Sequence, residues 1–313
     1  MSINYFIIDS LNMAYRQHNA NYELRLSDGT PSGMFYGYAK SLLSLKKKYR
    51  GYKFIVAWDN KAQWKYDIYP EYKSNRVSLP STVFSQIPSI KEFLKYVGID
   101  QYDKSGEEAD DVIASLVESL KNKEDTGTIV IYSNDKDLLQ LVKTGKIVVY
   151  KPKVGVIPEK FYDEEAVKSQ FGVYPNKLVN FRIFDGDGSD TIVGIPRVPR
   201  KIISDLVNSN DTIDDIYKSL SSIKLTKFRK EAFEGFRSQL EVNSKIMLLN
   251  KNLMDLNKIE GVVSKEGIAD MLKKYEIVSI DSESYAELFM SSLTIKYSDA
   301  RPAYRLESYS LFD

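Results

Sequence analysis

Three short stretches of β-branched, aliphatic and aromatic residues each end at an acid: Tyr5 to Asp9, Lys53 to Trp58 running into Asp59, and Thr128 to Ser133 running into Asn134 and Asp135. Unbroken apolar runs of this length, closed by polar residues, read as strands buried on both faces. Helical periodicity separates them, at about Ser32 to Lys48, Val83 to Val97 and Glu107 to Lys121. Strands alternating with helices predict an α/β unit around a largely parallel sheet, and in such sheets ligands bind beyond the carboxyl ends of the strands. Three carboxylates are therefore expected along that edge.

The rest of the chain divides less sharply. From about Pro158 onward strand signals fade and helical ones dominate, with Pro158 and Pro175 read as helix starts and an acidic glycine-rich turn at Asp185 to Asp190. The expected organisation is an α/β domain over 1–157, a mainly helical region over 158–295 and a flexible tail over 296–313. Neither an internal repeat nor a low-complexity segment interrupts it.

Composition narrows the chemistry. The 313 residues contain no cysteine and one histidine, His18, which excludes disulfides, thiolate sites and a histidine-based zinc cage, so any metal must sit on oxygen. No apolar run approaches the roughly 20 residues that span a bilayer, and the N-terminus enters a strand pattern at once, so a soluble cytoplasmic protein is expected. Lys and Arg number 44 against 43 Asp and Glu, which excludes a uniformly basic nucleic-acid coat. Basic residues nevertheless cluster at Lys46–Arg50, at Arg197, Arg200 and Lys201, and at Lys224–Lys230, away from the acids. Any one such run by itself reads as a solvated helix face.

The acids at turn positions are Asp9, Asp59, Glu108, Asp110, Asp111, Asp135, Asp137, Asp187 and Asp190. Each has a plain structural reading alone. Ser105 with Glu108 forms a capping box, Asp135 can cap a helix over Asp137–Leu141, and first-turn acids suit a helix dipole. Asp185 to Asp190 lacks the glycine and glutamate of an EF-hand calcium loop, having Asp190 and Pro196 at those positions. Taken together, acids from three strand ends and a helix start would repel one another unless cations intervene. Magnesium or manganese suits an all-oxygen site open to phosphate, and two such ions about 3.5–4 Å apart activate water and stabilise the departing oxygen. Phosphodiester hydrolysis fits.

Five segments in order carry a family likeness: Phe6-Ile7-Ile8-Asp9-Ser10-Leu11-Asn12 with Arg16; Tyr69-Pro70-Glu71-Tyr72-Lys73-Ser74-Asn75-Arg76; Glu107-Glu108-Ala109-Asp110-Asp111; Ser133-Asn134-Asp135-Lys136-Asp137-Leu138; and Gly186-Asp187-Gly188-Ser189-Asp190. Over about residues 3 to 255 the chain resembles the 5′-nuclease superfamily, which includes the nuclease domain of bacterial DNA polymerase I, bacteriophage 5′-exonucleases and flap endonucleases. The resemblance implies a PIN-like sheet and a structure-specific 5′ nuclease, with 5′ to 3′ exonuclease and flap endonuclease activity on branched, nicked or RNA-primed duplex. It implies two magnesium or manganese ions. Asp9, Glu108, Asp110, Asp111, Asp135 and Asp137 would crowd a first metal region, with Asp59 nearby, while Asp187 and Asp190 reach a second. Asp9, Asp110 and Asp135 count with Arg16 and Lys73 as catalytic. The two cations are implied to neutralise charge at the scissile phosphate. Tyr72 is either a stacking platform for a terminal base or core, and Arg76 joins Lys73 on the nucleic acid.

The resemblance also implies a short arch within Asn75 to Pro88 and a helix-hairpin-helix-type element after Asp190. Arg197 and Pro199 stand where that element has glycines. Arginine resists positive φ and proline lacks a donor, which argues against the family's potassium-holding turn and for direct phosphate binding by Arg197, Arg200 and Lys201. Leu311 and Phe312 are similar to terminal motifs that dock replication enzymes on sliding clamps; folding back on the helical region is the other reading. A monomer is expected. A non-catalytic junction binder and a PIN-like ribonuclease remain the alternatives.

Overall fold

In the computed structural model the described residues are 2–76 and 81–291. A seven-stranded sheet forms the centre, built from β1 (Ile3–Asp9), β2 (Tyr52–Ala57), β3 (Asp100–Asp103), β4 (Thr126–Tyr132), β5 (Ile147–Lys151), β6 (Lys160–Tyr162) and β7 (Asn257–Ile259). Their order is β6-β5-β4-β1-β2-β3-β7; the five inner strands run parallel and both edge strands antiparallel. The order changes direction at β1, flanked by β2 and β4, the point where ligands collect in such sheets. Asp9 closes β1 there.

Strand residues alternate between two cores. Ile7, level with Ile55 and Ile131, faces one side with Ile129, Ile147 and Val149, beneath Val112, Leu116, Phe181, Phe184 and Met247. Phe6, Ile8, Phe54, Val56 and Val130 face the other, beneath Phe35, Leu42, Phe93, Ile268, Tyr285 and Phe289. Both faces are covered, which explains why the inner strands read as continuous apolar runs rather than alternating ones.

The three acid-ended strands and the helices Gly33–Lys48 and Ala109–Lys121 lie within two residues of their expected limits. The helix expected over Val83 to Val97 divides into Ser81–Phe84 and Ile87–Tyr96. Pro175 opens a helix, Pro175–Asp185, but Pro158 precedes the edge strand β6. The sheet does not end at 157: β6 and β7 come from the region expected to be helical, and the helices Lys265–Lys274 and Ser282–Ser291 join the core on one of its faces. Ser105 and Glu108 form no capping box. Glu108 occupies the N-cap itself without a side-chain cap bond, and Asp59 Oδ1 instead accepts from the Ala109 N–H at 2.9 Å. Leu311 and Phe312 lie outside the described residues, as does part of the arch segment.

Two glycines fix the turn after Pro175–Asp185. Gly186 has φ +75°, and a Cβ there would stand 2.4 Å from the Gly194 nitrogen. A Cβ on Gly194 would meet the Asp185 carbonyl oxygen at 2.2 Å. The backbone crosses itself where no side chain fits.

Ile7 is wholly buried between β2 and β4. Ile7→Ala is expected to lower unfolding free energy by about 2–5 kcal/mol, the combined cost of lost transfer energy and a cavity, read by urea denaturation.

Candidate active site

The strand ends and the start of Ala109–Lys121 enclose a cleft of about 130 Å³ lined by Asp9, Asn12, Tyr15, Asp59, Lys73, Arg76, Glu108, Asp110 and Asp135. Each acid is placed by local backbone chemistry. Asp9 caps the helix Ser10–Ala20, accepting from the Asn12 N–H at 3.1 Å, and its second oxygen accepts from the Ser133 hydroxyl at 2.8 Å. Asp135 accepts from the Asp137 N–H at 2.7 Å, which starts the 3-10 turn Asp137–Leu141. Asp110 Oδ1 accepts from the Asp111 N–H at 2.9 Å.

Burial and crowding perturb these acids. Burial raises Asp9 to about 7, with Asp59 and Asp135 adding repulsion against the hydrogen bonds from Asn12 and Ser133. Burial likewise raises Asp59, and holds Asp110 well above the carboxylate range, where Asp111, Glu108 and Asp135 add to it against Lys65. Glu108 goes the other way, to about 2, because Lys65 and Lys73 outweigh its burial. Lys65 Nζ lies 2.9 Å from Glu108 Oε2, the Tyr72 hydroxyl donates to the same oxygen at 2.9 Å, and Lys73 pairs with Oε1.

A second acid group adjoins the first through Asp135. Asp137 is raised to about 7 by burial, against Arg182 and with repulsion from Asp135, Asp187 and Asp190. Arg182, only 4% exposed, lies 2.8 Å by Nε from Asp137 and pairs by Nη2 with Asp187. Asp187 falls to about 2, because bonds from Ser189 and the charge of Arg182 overcome burial. Asp190 pairs with Arg76, and its carbonyl accepts from the Lys73 N–H at 2.9 Å. The turn Gly188–Asp190 and the segment carrying Lys73 and Arg76 are thereby joined.

Several expected residues sit elsewhere. Asp111 is turned from the cleft: Oδ1 accepts from the Asn250 N–H at 2.7 Å and Oδ2 lies 3.2 Å from Lys65. Tyr72 is 3% exposed with its hydroxyl committed to Glu108, so it is core and offers no open face for a base. Arg16 donates to the Tyr132 hydroxyl at 2.6 Å and to the Lys153 carbonyl, facing a neighbouring groove of about 550 Å³ that shares Asn12 and Tyr15 with the cleft. Arg197 overturns the backbone argument made from sequence: it adopts φ 58°, the left-handed conformation expected of glycine, at a cost of order 1–3 kcal/mol. Its guanidinium lies 5.5 Å from the Phe228 ring centroid. Pro199 is the N-cap of the helix Arg200–Ser209, where a missing N–H breaks no helical bond. Arg200 pairs with Asp185 at 2.9 Å and Lys201 with Asp205 at 2.8 Å, both basic side chains remaining open to solvent.

Sequence reasoning passed over Lys65 and Arg182. A buried lysine leaves no local mark, but Arg182 interrupts the apolar run Phe181, Ile183, Phe184, a position where a charge survives only with partners.

A parallel sheet carrying clustered acids and paired cations at its switch point defines a phosphate-directed hydrolytic enzyme. A family description reading "5'-3' exonuclease, N-terminal resolvase-like domain" matches residues 4–172. The chain is 32% identical over 285 residues to the 5'-3' exonuclease of Aquifex aeolicus, spanning 87% of this chain and 94% of that protein. It is 32% identical over 282 residues to DNA polymerase I of Caldicellulosiruptor bescii, spanning 87% of this chain and 32% of that one. The fold is similar to the T5 D15 protein co-crystallised with metal ions, at a TM-score of 0.66 and 17% identity, over 91% of this chain and 99% of that one. The chain belongs to the 5′-3′ exonuclease family, within the 5′-nuclease superfamily. The class of activity that this family defines is 5′ to 3′ exonuclease.

With divalent ions chelated, Asp9 and Asp137 release protons near pH 7 when folded and near pH 4 when unfolded. Between those values the folded state holds more protons, so stability falls as pH rises. Melting temperature in chelator is expected to be higher at pH 5.5 than at pH 7.5; equal values would show that the two acids are not perturbed in this way.

Proposed function

We propose that this nuclease cuts the 5′ strand of flapped, nicked and RNA-primed duplexes with two divalent ions, magnesium or manganese, held by the acids of the two adjoining groups. The carrying observation is the shared cleft, in which Asp9, Asp59, Glu108, Asp110 and Asp135 face inward and Asp9 and Asp110 bind protons more tightly than ordinary carboxylates. Among the described residues no three acids or histidines close into a ready-made cage for an ion. The acids instead line open walls, as suits an ion that keeps waters and meets substrate phosphate. Their all-oxygen chemistry fits magnesium or manganese. Asp9, Asp59, Glu108, Asp110 and Asp135 would hold one ion, and Asp137, Asp187 and Asp190 would reach the other. Such ions, when bound, supply positive charge at the scissile phosphate and lower the pKa of an attacking water.

The chain's own side chains orient and neutralise. Lys73 and Arg76 pair with Glu108 and Asp190 and reach substrate phosphate from the same wall. Arg16 lies along the groove that continues from the cleft and meets the next phosphate. Arg197, Arg200 and Lys201 grip the duplex backbone at the turn before Arg200–Ser209, in an arrangement of helix, turn and helix. The T5 relative was also crystallised with DNA and metal ions, which supports a DNA substrate.

Asp135→Asn is expected to slow single-turnover cleavage of a 5′-labelled flap by about 10²-fold or more while flap affinity stays within a few-fold, because the lost interactions act on the developing charge. Unchanged cleavage would remove Asp135 from the site. Manganese at about 100 times its dissociation constant should stabilise the protein by about 2.7 kcal/mol. A melting curve indifferent to the ion would count against the metal assignment.

A further inference from the structure

Asn243 is completely buried on the helix Arg237–Met247. Its amide nitrogen donates to the Ile183 carbonyl at 2.8 Å and the Val193 carbonyl at 2.9 Å, while its oxygen accepts from Gln239 at 2.9 Å. Ile183 belongs to the helix leading into the turn that carries Arg197, and Val193 belongs to the turn itself. One side chain therefore fixes the turn to the helix Arg237–Met247.

The other end of that helix is fastened to the cleft. Beyond Met247 the chain runs past the helix Ala109–Lys121, where Asp111 accepts from the Asn250 N–H at 2.7 Å. Ser115 donates to the Asn250 carbonyl at 3.0 Å and accepts from the Leu253 N–H at 3.1 Å. Gln140 donates to the Met247 carbonyl at 3.2 Å. Asp111 is then held by Lys65, which also holds Glu108 of the cleft wall. The connection from the turn to the cleft thus runs through Asn243, one helix, Asn250, Asp111 and Lys65; Asn243, Asp111 and Lys65 are buried, and Asn250 is exposed.

We propose that Asn243 and Asp111 are positioning residues, forming the two ends of a clasp that sets the distance between the duplex-gripping turn and the carboxylate cleft and so determines which phosphodiester is cut. The inference rests on the reading of Arg197, Arg200 and Lys201 as the duplex grip. A phosphate displaced by about 1 Å from the reacting groups loses about 10²-fold in rate, so loosening the clasp lets neighbouring bonds compete. Asp111 serves this purpose without facing the cleft, since both its oxygens are committed to Asn250 and Lys65.

The test is product mapping at single-nucleotide resolution on a 5′-flap duplex under single turnover, for the parent, Asn243→Leu and Ser115→Ala. The expected result is one dominant product for the parent and cuts spread over adjacent bonds for both variants. A slower reaction with an unchanged product distribution overturns the proposal, since that is what a merely structural role would give. Should Asn243→Leu fail to fold, Ser115→Ala answers the same question with the loss of one hydroxyl. Manganese binding read by electron paramagnetic resonance tests the other end: Asp111→Asn should retain the parent's number of bound ions, whereas Asp110→Asn should lose one. Loss of an ion in Asp111→Asn overturns the clasp assignment. The triple variant Arg197→Ala, Arg200→Ala, Lys201→Ala separates the two readings. Unchanged duplex affinity defeats the grip, while weakened affinity alongside an unmoved cut position in Asn243→Leu defeats the clasp alone.

Discussion

Four cations set among mutually repelling acids make the strand-end edge of this sheet tolerable. Lys65, Lys73 and Arg182 are largely or fully withdrawn from solvent, and Arg76 is half exposed; each pairs with at least one acid of the two groups. Burial disfavours the charge on Lys65, but Asp110, Asp111 and Glu108 raise its proton affinity above the ordinary lysine value. The compensation is uneven. Glu108 and Asp187 are over-neutralised, while Asp9, Asp110 and Asp137 bind protons more tightly than ordinary carboxylates. That unevenness creates the demand for further positive charge at the cleft, and the two lysines and two arginines decide where the demand falls.

Removing one partner from such a buried pair costs more than the pair contributes, because the survivor keeps its desolvation penalty. Lys65 bears on three acids at once. The segment from Asp59 to Arg76 is therefore both wall and counterweight: it contributes Asp59, the buried Lys65, the core ring of Tyr72 and the paired Lys73 and Arg76. Its sequence carries only faint periodicity, since ion pairs fix it together with the packing of Tyr66, Tyr69 and Tyr72 against the core.

The parts legible in the sequence were those with strong local signals. β1, β2 and β4 announce themselves because both their faces are buried, and the acids closing them follow from the geometry of parallel sheets. β3, reading Asp100-Gln101-Tyr102-Asp103, is too polar to be seen, and β6 and β7 are three residues each at the edges. The paired cations were legible only where a motif flanked them, as at Lys73 and Arg76. Lys65 and Arg182 depend on contacts across 43 and more residues or on the turn beyond a helix end, which no window of sequence displays. Arg197 failed for another reason: its positive φ is imposed by the surrounding turn, so residue preference pointed the wrong way.

The route of the chain has a bearing on biosynthesis. β7 joins the sheet beside β3 after more than 150 intervening residues, and Asn250 closes on Asp111 from a similar distance. The helices Lys265–Lys274 and Ser282–Ser291 then join the core that holds Phe6, Ile8 and Phe54, with the Phe289 ring against Phe54. A nascent chain that has released all the acids still lacks the outer helices of one sheet face and the amide that holds Asp111. The ribosome thus releases the contact that holds Asp111, and the outer helices of one sheet face, only after every acid of the cleft has been made.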